Sequence, residues 1–265
     1  MPELDIGVIY THEDHFMSNL LTSLAASGEG LNKRLLLIDN ASQSGCERWL
    51  NYFYETTRIT NTRRLSYAQN LNRILQHSQA EFVLLLNTDM YFDPAEQCLT
   101  KMVAFLRNQP ACGVAGCRIR HADGSEAYAA RRFPKLKTIA ARRLGLSSAF
   151  PQEIESHFYG EQATQAVFPC DWLSGCFLMV RRSALEQVGL LDDAYPKYFE
   201  DVDFCLRMAV AGWQVLYNGK TFCYHLEQRS SRRVFSRDAW MHLQSYARWL
   251  HKWGLQPERH IQRAA

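Results

Sequence analysis

The sequence predicts an α/β protein built on a mainly parallel sheet with helices on both faces. Three observations carry this expectation. Strand-like and helix-like segments alternate through the first half, Phe82-Val83-Leu84-Leu85-Leu86 is apolar throughout at strand length, and polar residues cluster where the strands end. Continuously apolar strands belong to sheets covered on both faces, whereas half-exposed strands alternate apolar with polar. With 265 residues, 47% of them hydrophobic, the chain has enough apolar surface for one large core.

The elements follow in order. Leu4–Tyr10 and Arg34–Ile38 read as short buried strands separated by a helix over Phe16–Ala26, and Arg58–Asn61 reads as a third strand. Ser66–His77 has helical spacing at Ala68, Leu71, Ile74 and Leu75. After the strand Phe82–Leu86 a single helix is expected from Pro94 to Arg107. Further on, Asp123-Gly124 signals a hairpin turn. Pro134–Pro169 has weak periodicity and is expected to contain a mobile loop, and Gly175–Val180 is again an apolar strand. Ser183-Ala184-Leu185-Glu186 has the form of a capping box opening a short helix that ends near Gly189. A stronger helix starts near Asp201 and stops at Gly212. Ser236 is placed as the cap of an amphipathic helix running to Trp253 and ending at Gly254.

Several classes drop out on composition. No apolar run approaches the roughly 20 residues that span a bilayer. The start, Met1-Pro2-Glu3-Leu4-Asp5, lacks the basic and apolar regions of a signal peptide, which predicts a cytoplasmic protein. The eight cysteines form no C-x-x-C pair and read as small buried hydrophobes. The net charge is +3, unevenly spread: His225–Ala265 holds eight Lys/Arg against three acids, leaving 22 basic against 24 acidic residues before it. A second basic stretch carries Arg131, Arg132, Lys135, Lys137, Arg142 and Arg143. Such asymmetry points to a polyanionic partner. Apart from Phe133 that stretch lacks interleaved aromatic residues, which argues against nucleic acid.

Parallel sheets bind ligands beyond the carboxyl ends of their strands. Asn87-Thr88-Asp89 lies there, so Asp89 could hold Mg2+ or Mn2+ on substrate phosphates; a turn or cap Asp is the plainer reading. Asp39-Asn40 either accepts hydrogen bonds from a nucleotide or forms a turn. The most pointed feature is Tyr198-Phe199-Glu200-Asp201-Val202-Asp203-Phe204-Cys205-Leu206-Arg207, with three carboxylates at a helix N-terminus. The helix dipole is expected to keep them ionised, as a base acting on a hydroxyl requires. An Asp203–Arg207 pair at i,i+4 would stabilise the same turn without chemistry. His225, after Thr221–Tyr224, suits either a metal ligand or a structural role.

Taken in order, Leu37-Ile38-Asp39-Asn40-Ala41-Ser42, Leu85-Leu86-Asn87-Thr88-Asp89, Asp171-Trp172-Leu173-Ser174-Gly175-Cys176 and the Glu200-Asp201 segment resemble the family-2 glycosyltransferases of GT-A fold. Ala211-Gly212-Trp213 and His225 complete the series. Arg131-Arg132-Phe133-Pro134 and the trailing aromatic-basic helix are similar to bacterial rhamnosyltransferases of O-antigen assembly. The resemblance implies a GT-A domain over residues 1–231, with a nucleotide-sugar half at 1–117 and an acceptor half at 118–231, then a basic helix and tail at 232–265. It implies Thr11, Asp39, Asn70, Asn87 and Asp89 on the donor, with Asp89 and His225 at the metal. It implies Asp201 as general base, Glu200 orienting the acceptor, and Trp172, Arg131 and Arg132 as further acceptor contacts.

The donor implied is dTDP-L-rhamnose and the acceptor a polyprenyl-pyrophosphate-linked saccharide. Two alternatives stay open: a UDP- or GDP-hexose donor on the same fold, and a catalytically silent nucleotide-sugar or polyanion binder. The chain departs from the family pattern in three places: Asn87 replaces an acid, Tyr10-Thr11-His12-Glu13 ends the first strand, and Arg63-Arg64-Leu65-Ser66 lacks the usual glycines. In the tail, Phe235, Trp240, Leu243, Tyr246, Trp249, Leu250 and Trp253 tend to one helical face. That face either packs on the domain or docks on an anionic membrane surface, placing the protein at the inner face of the cytoplasmic membrane. The sequence carries no signature of an oligomeric state.

Overall fold

The apolar segments form the strands expected of them. In a computed structural model that describes residues 2–42, 45–143, 145–226 and 237–261, β1 (Leu4–Tyr10), β2 (Lys33–Asp39), β3 (Thr56–Thr60) and β4 (Phe82–Leu86) run parallel, in the order β3-β2-β1-β4. Every residue of β4 is buried. Because successive side chains point to opposite faces, both faces of the sheet must be covered. α1 (Asp14–Ala26) and α2 (Tyr67–His77) connect these strands. A Cβ on Gly7 would collide with Ile74, so glycine there lets α2 lie close against β1. Ser66 and Gln69 close a capping box at the start of α2.

The second half inserts an antiparallel strand. β5 (Met90–Tyr91), α3 (Cys98–Arg107), β6 (Cys112–His121), β7 (Ala130–Arg131), α4 (Leu136–Arg143), α5 (Pro151–His157), β8 (Val167–Pro169), β9 (Trp172–Leu173) and β10 (Phe177–Arg181) follow in turn. Then come α6 (Arg182–Val188), α7 (Glu200–Val210), β11 (Gln214–His225) and α8 (Arg237–Trp253). β10 pairs antiparallel with both β4 and β6, and β11 runs parallel to β6. The β1, β2, β3, β4, β6 and β11 carboxyl ends therefore share one rim with the start of β10. The Asp123-Gly124 turn forms as expected, with Gly124 at φ +84 and its N–H donated to the His121 carbonyl.

Two local expectations are corrected. The helix Pro94–Arg107 is broken: Pro94–Glu96 is one 3-10 turn and Gln97 is left-handed at φ 50. The Gln97 side chain accepts from the N–H groups of Gly28 and Glu29 at 3.0 Å each, so tertiary bonds to the end of α1 hold the break. Ser183 caps nothing, because α6 begins at Arg182 directly from the paired strand β10, with the Arg182 N–H on the Glu81 carbonyl. Pro134–Pro169, for all its weak periodicity, forms α4, α5 and β8, with Thr138 bonded to Glu153 at 2.7 Å between the two helices.

α8 ends at Gly254, whose φ of +74 suits a helix stop; Phe235 and the cap assigned to Ser236 lie outside the described residues. Its apolar face divides. Tyr246 and Trp249 are buried against the domain, while Trp240 and Leu243 are exposed. Trp249, 1% exposed, would cost about 3–5 kcal/mol on truncation to Ala. That is a large share of the typical stability of a domain, about 5–15 kcal/mol, so packing on the domain accounts for this side of the helix. Seven of the eight cysteines are buried, as expected of small hydrophobes.

Candidate active site

The topology brings Thr11, Asp39, Asn87–Asp89, His121, Ser174–Cys176 and His225 to the common rim. Antiparallel pairing of Phe177 with Leu86 sets Cys176 beside Asn87, whose N–H donates to the Cys176 carbonyl at 3.2 Å. Pairing of β5 with the end of β11 sets His225 opposite Met90, and the Leu226 N–H donates to the Asp89 carbonyl at 2.8 Å.

These pairings put His225 Nε2 3.0 Å from Asp89 Oδ2. The other carboxylate oxygen, Oδ1, is buried without a hydrogen-bond partner. A buried carboxylate oxygen left unsatisfied calls for an explanation, and a cation supplies one. The donor set is one hard oxygen and one imidazole nitrogen, which suits Mn2+ or Mg2+ completed by phosphate oxygens of a substrate. Among the described residues no group of three or more His, Cys, Asp or Glu converges to hold a metal unaided, so the substrate would have to complete the shell. The His121 ring lies 6.2 Å from that of His225 with Nδ1 buried and unpartnered, a neighbour the sequence did not single out.

Tyr67 joins the two halves of the rim. Its hydroxyl lies 2.8 Å from Asn87 Oδ1 and 3.2 Å from the Gly175 carbonyl, two acceptors sharing one proton. The Gly175 N–H donates to Asp201 Oδ2 at 2.9 Å. Burial, then the negative charges of Glu200, Cys176, Asp201 and Asp89, push the Tyr67 hydroxyl well above its ordinary range. Asp89, Asn87, Glu200 and Asp201 thus surround one phenol, although 112 residues separate Asp89 from Asp201. Tyr67 itself was missed. Its only sequence signal is its place as first helical residue after the Ser66/Gln69 capping box, at the ligand end of a parallel unit. Gly175 was quoted in a motif but not as a site residue; a Cβ there would stand 3.3 Å from Asp201 Oδ2.

Asp201 is further fixed by the Val202 N–H, which donates to Oδ1 at 2.9 Å. The dipole does not keep the pair ionised, as the sequence led us to expect. Burial raises Asp201, opposed by the Gly175 amide and the charge of Arg131. Glu200, 6% exposed, is pushed up to about 8 by burial and then by the charge of Asp201. Desolvation outweighs the helix end here because a dipole is worth about 0.3–1 kcal/mol and burial of a charge several. Both carboxyls are raised and, lying side by side, they titrate as a pair. Carboxyl-carbon NMR should therefore show a Glu200 midpoint near pH 8. In Asp201→Asn it should fall, since the charge that raises it is gone; an unmoved midpoint would show that the two do not interact.

On the donor side, Asp39 is buried and accepts from the Ser42 N–H at 3.0 Å and Arg58 Nη2 at 2.5 Å. Burial raises its carboxyl, but the Ser42 bonds and the Arg58 pair outweigh it and hold it below its ordinary value. Thr11 is partly exposed beside Asn40, with Oγ1 3.5 Å from Asn40 Nδ2. Asn70 does not line the rim. It is 1% exposed, accepts from Asn61 at 2.7 Å and donates to the Leu65 and Ser66 carbonyls, so it shapes the loop before α2.

Adjacent residues of an extended chain point to opposite sides, and Arg131 and Arg132 separate accordingly. Arg131 is buried, its guanidinium 4.8 Å from the centre of the Trp172 ring, and its charge acts on Asp201. Arg132 turns away to pair with Glu161 and lie over Tyr159. Trp172 offers no free ring face: it is buried, covered by Arg131, and its Nε1–H donates to the Arg132 carbonyl at 2.8 Å.

Comparison with known proteins identifies the family and the fold. The family described as Glycosyl transferase family 2 matches residues 5–189, and a second, Glycosyltransferase (GlcNAc), matches residues 125–265. The N-acetylglucosaminyl-diphospho-decaprenol L-rhamnosyltransferase of Mycobacterium tuberculosis is 29% identical over 241 residues, covering 86% of this chain and 77% of that protein. Rhamnosyltransferase WbbL of Escherichia coli is 25% identical over 257 residues, covering 92% and 91%. Among solved structures, the mannosyltransferase PcManGT from Pyrobaculum calidifontis, in complex with GDP-Man and Mn2+, superposes with a TM-score of 0.60 at 16% identity, over 97% of this chain and 72% of that one. The fold is that of the GT-A glycosyltransferases.

Proposed function

The chain belongs to glycosyl transferase family 2 and is a glycosyltransferase, and from that premise we propose that it moves L-rhamnose from dTDP-L-rhamnose to a hydroxyl of a polyprenyl-pyrophosphate-linked saccharide, with inversion, in bacterial surface polysaccharide synthesis such as O-antigen. The observation that carries the reading is the Tyr67 bridge, which links the donor-side Asn87 to the carbonyl of Gly175, the residue whose own N–H holds Asp201. The names of the two rhamnosyltransferase relatives support the sugar and, for the mycobacterial one, a lipid-diphosphate acceptor.

Residues 1–117 grip the nucleotide and residues 118–231 the acceptor. Asp39 and Thr11 face the nucleoside at the ends of β1 and β2. Asp89 and His225 would hold Mg2+ or Mn2+, which when bound spreads the charge of the departing diphosphate. Asp201 takes the proton of the acceptor hydroxyl. The freed oxygen attacks the anomeric carbon from the face opposite the leaving group, and the carbon–oxygen bond to the diphosphate breaks as the new one forms. One displacement gives inversion. Glu200 orients the acceptor, and the charge of Arg131 favours the ionised form of Asp201. With Arg132 paired to Glu161, Arg131 is the stronger acceptor contact of the two.

No helix of the described residues is long and apolar enough to cross a membrane. We place the protein peripherally at the inner face of the cytoplasmic membrane, supported by exposed Trp240, Leu243 and Leu255 at the outer side of α8 and just beyond it. The basic residues Arg229, Arg232, Arg233 and Arg263 that would add attraction to anionic lipid lie outside the described residues.

Thermal-shift measurement with dTDP, UDP and GDP, each with and without Mn2+, tests the donor. Stabilisation by dTDP with Mn2+ above the other two is expected, because a ligand at 100 times its Kd adds about 2.7 kcal/mol. Preference for UDP or GDP would move the reading to a hexose donor. Stabilisation by none of them would remove it.

A further inference from the structure

The chain enters α7 through a strained corner. Tyr198 and Phe199 have φ of 70 and 71, two successive left-handed residues with side chains, immediately before Glu200 and Asp201. Side chains rarely adopt this region, and such strain persists only where the surroundings enforce it. α8 packs against this corner.

The contacts bracket the two carboxyls. Ser245, fully buried, donates from Oγ to the Lys197 carbonyl at 2.8 Å. The His242 ring lies 5.4 Å from Tyr198 and 5.2 Å from Phe199, and Tyr246 and Trp249 lie 5.6 and 6.1 Å from Phe199. Beyond the pair, fully buried Asp203 accepts from Trp253 Nε1 at 2.8 Å and from Lys252 at 2.7 Å, beside Arg207 at 2.8 Å. The corner at 197–199 and the anchor at 203 are both held from α8, with Glu200 and Asp201 between them.

We infer that α8 is a positioning element of the transfer reaction: Trp249, Tyr246 and Ser245 hold the left-handed Tyr198–Phe199 corner, and the corner aims Asp201 at the acceptor hydroxyl. This rests on Asp201 being the base. If Trp249 is removed, the corner relaxes toward ordinary backbone and Asp201 leaves the Gly175 and Val202 amides. Donor binding at Asp39 and Asp89, carried by other elements, stays.

The test compares Trp249→Ala, Trp249→Phe and Ser245→Ala in the full chain with the wild type, by amide hydrogen exchange and by transfer kinetics. Trp249→Ala should speed exchange at Gly175 and Val202. It should lower kcat on the order of 10-fold or more while donor KM stays within about twofold, since small misplacement of a reacting group is costly in rate. Trp249→Phe should restore most of both, and Ser245→Ala should move both in the same direction by less. Unchanged exchange and kcat in Trp249→Ala would overturn the inference, as would a parallel loss of kcat and donor binding. If Trp249→Ala does not fold, Ser245→Ala decides on the same readouts. A wild type that transfers from no donor would instead overturn the assigned function, and the exchange comparison would still decide whether α8 holds the corner.

Discussion

Asp201→Asn should abolish transfer while leaving donor binding intact. The amide keeps the shape, but its single oxygen can accept from only one of the Gly175 and Val202 N–H groups, which Asp201 serves with separate oxygens; donor binding rests on other elements and should hold. What the amide cannot do is take a proton. A positioned general base contributes about 10²–10⁴-fold, and kcat should fall by that order with nucleotide-induced stabilisation unchanged. Near-normal turnover in Asp201→Asn, measured with dTDP-rhamnose and a lipid-linked acceptor, would take the role of base away from Asp201.

The second large effect is expected at Asp89. Asp89→Ala removes the unpartnered Oδ1 together with the oxygen facing His225. The remaining imidazole is one ligand where Mg2+ or Mn2+ ordinarily takes one or two carboxylates plus phosphate oxygens. The Mn2+-dependent part of the nucleotide stabilisation should therefore vanish. At saturating ligand that part is about 2–3 kcal/mol, or about 5–10 °C in Tm for a chain of this size. Transfer should fall at least 100-fold, because outer-sphere losses alone reach that order. Stabilisation by Mn2+ and nucleotide equal to the wild type's would show that the cation is held elsewhere.

Both variants act on residues that the sequence marked out, and the reason is local. Asp39, Asn87–Asp89 and His225 each follow an apolar strand, and strand ends of a parallel sheet are where ligands bind. Acid residues at the start of an amphipathic helix are equally visible, which is how Glu200 and Asp201 were found. Tyr67 was invisible because nothing in its neighbourhood distinguishes a phenol that reaches Gly175, 108 residues away, from any partly buried aromatic. Asn70 and Trp172 erred in the opposite direction. Their polar atoms are satisfied by Asn61, Leu65, Ser66 and Arg132 inside the protein.

The sequence by itself determined the alternation of strands and helices, the covered parallel sheet and the residues at its strand ends, because periodicity and turn chemistry are written in neighbouring residues. Tertiary structure alone decided three things: the reversal of β10 that sets Cys176 against Asn87, the burial that raises the Glu200 carboxyl, and the side of α8 that packs. Each depends on which distant surfaces meet. Desolvation and packing are properties of those meetings, and a local pattern of residues does not contain them.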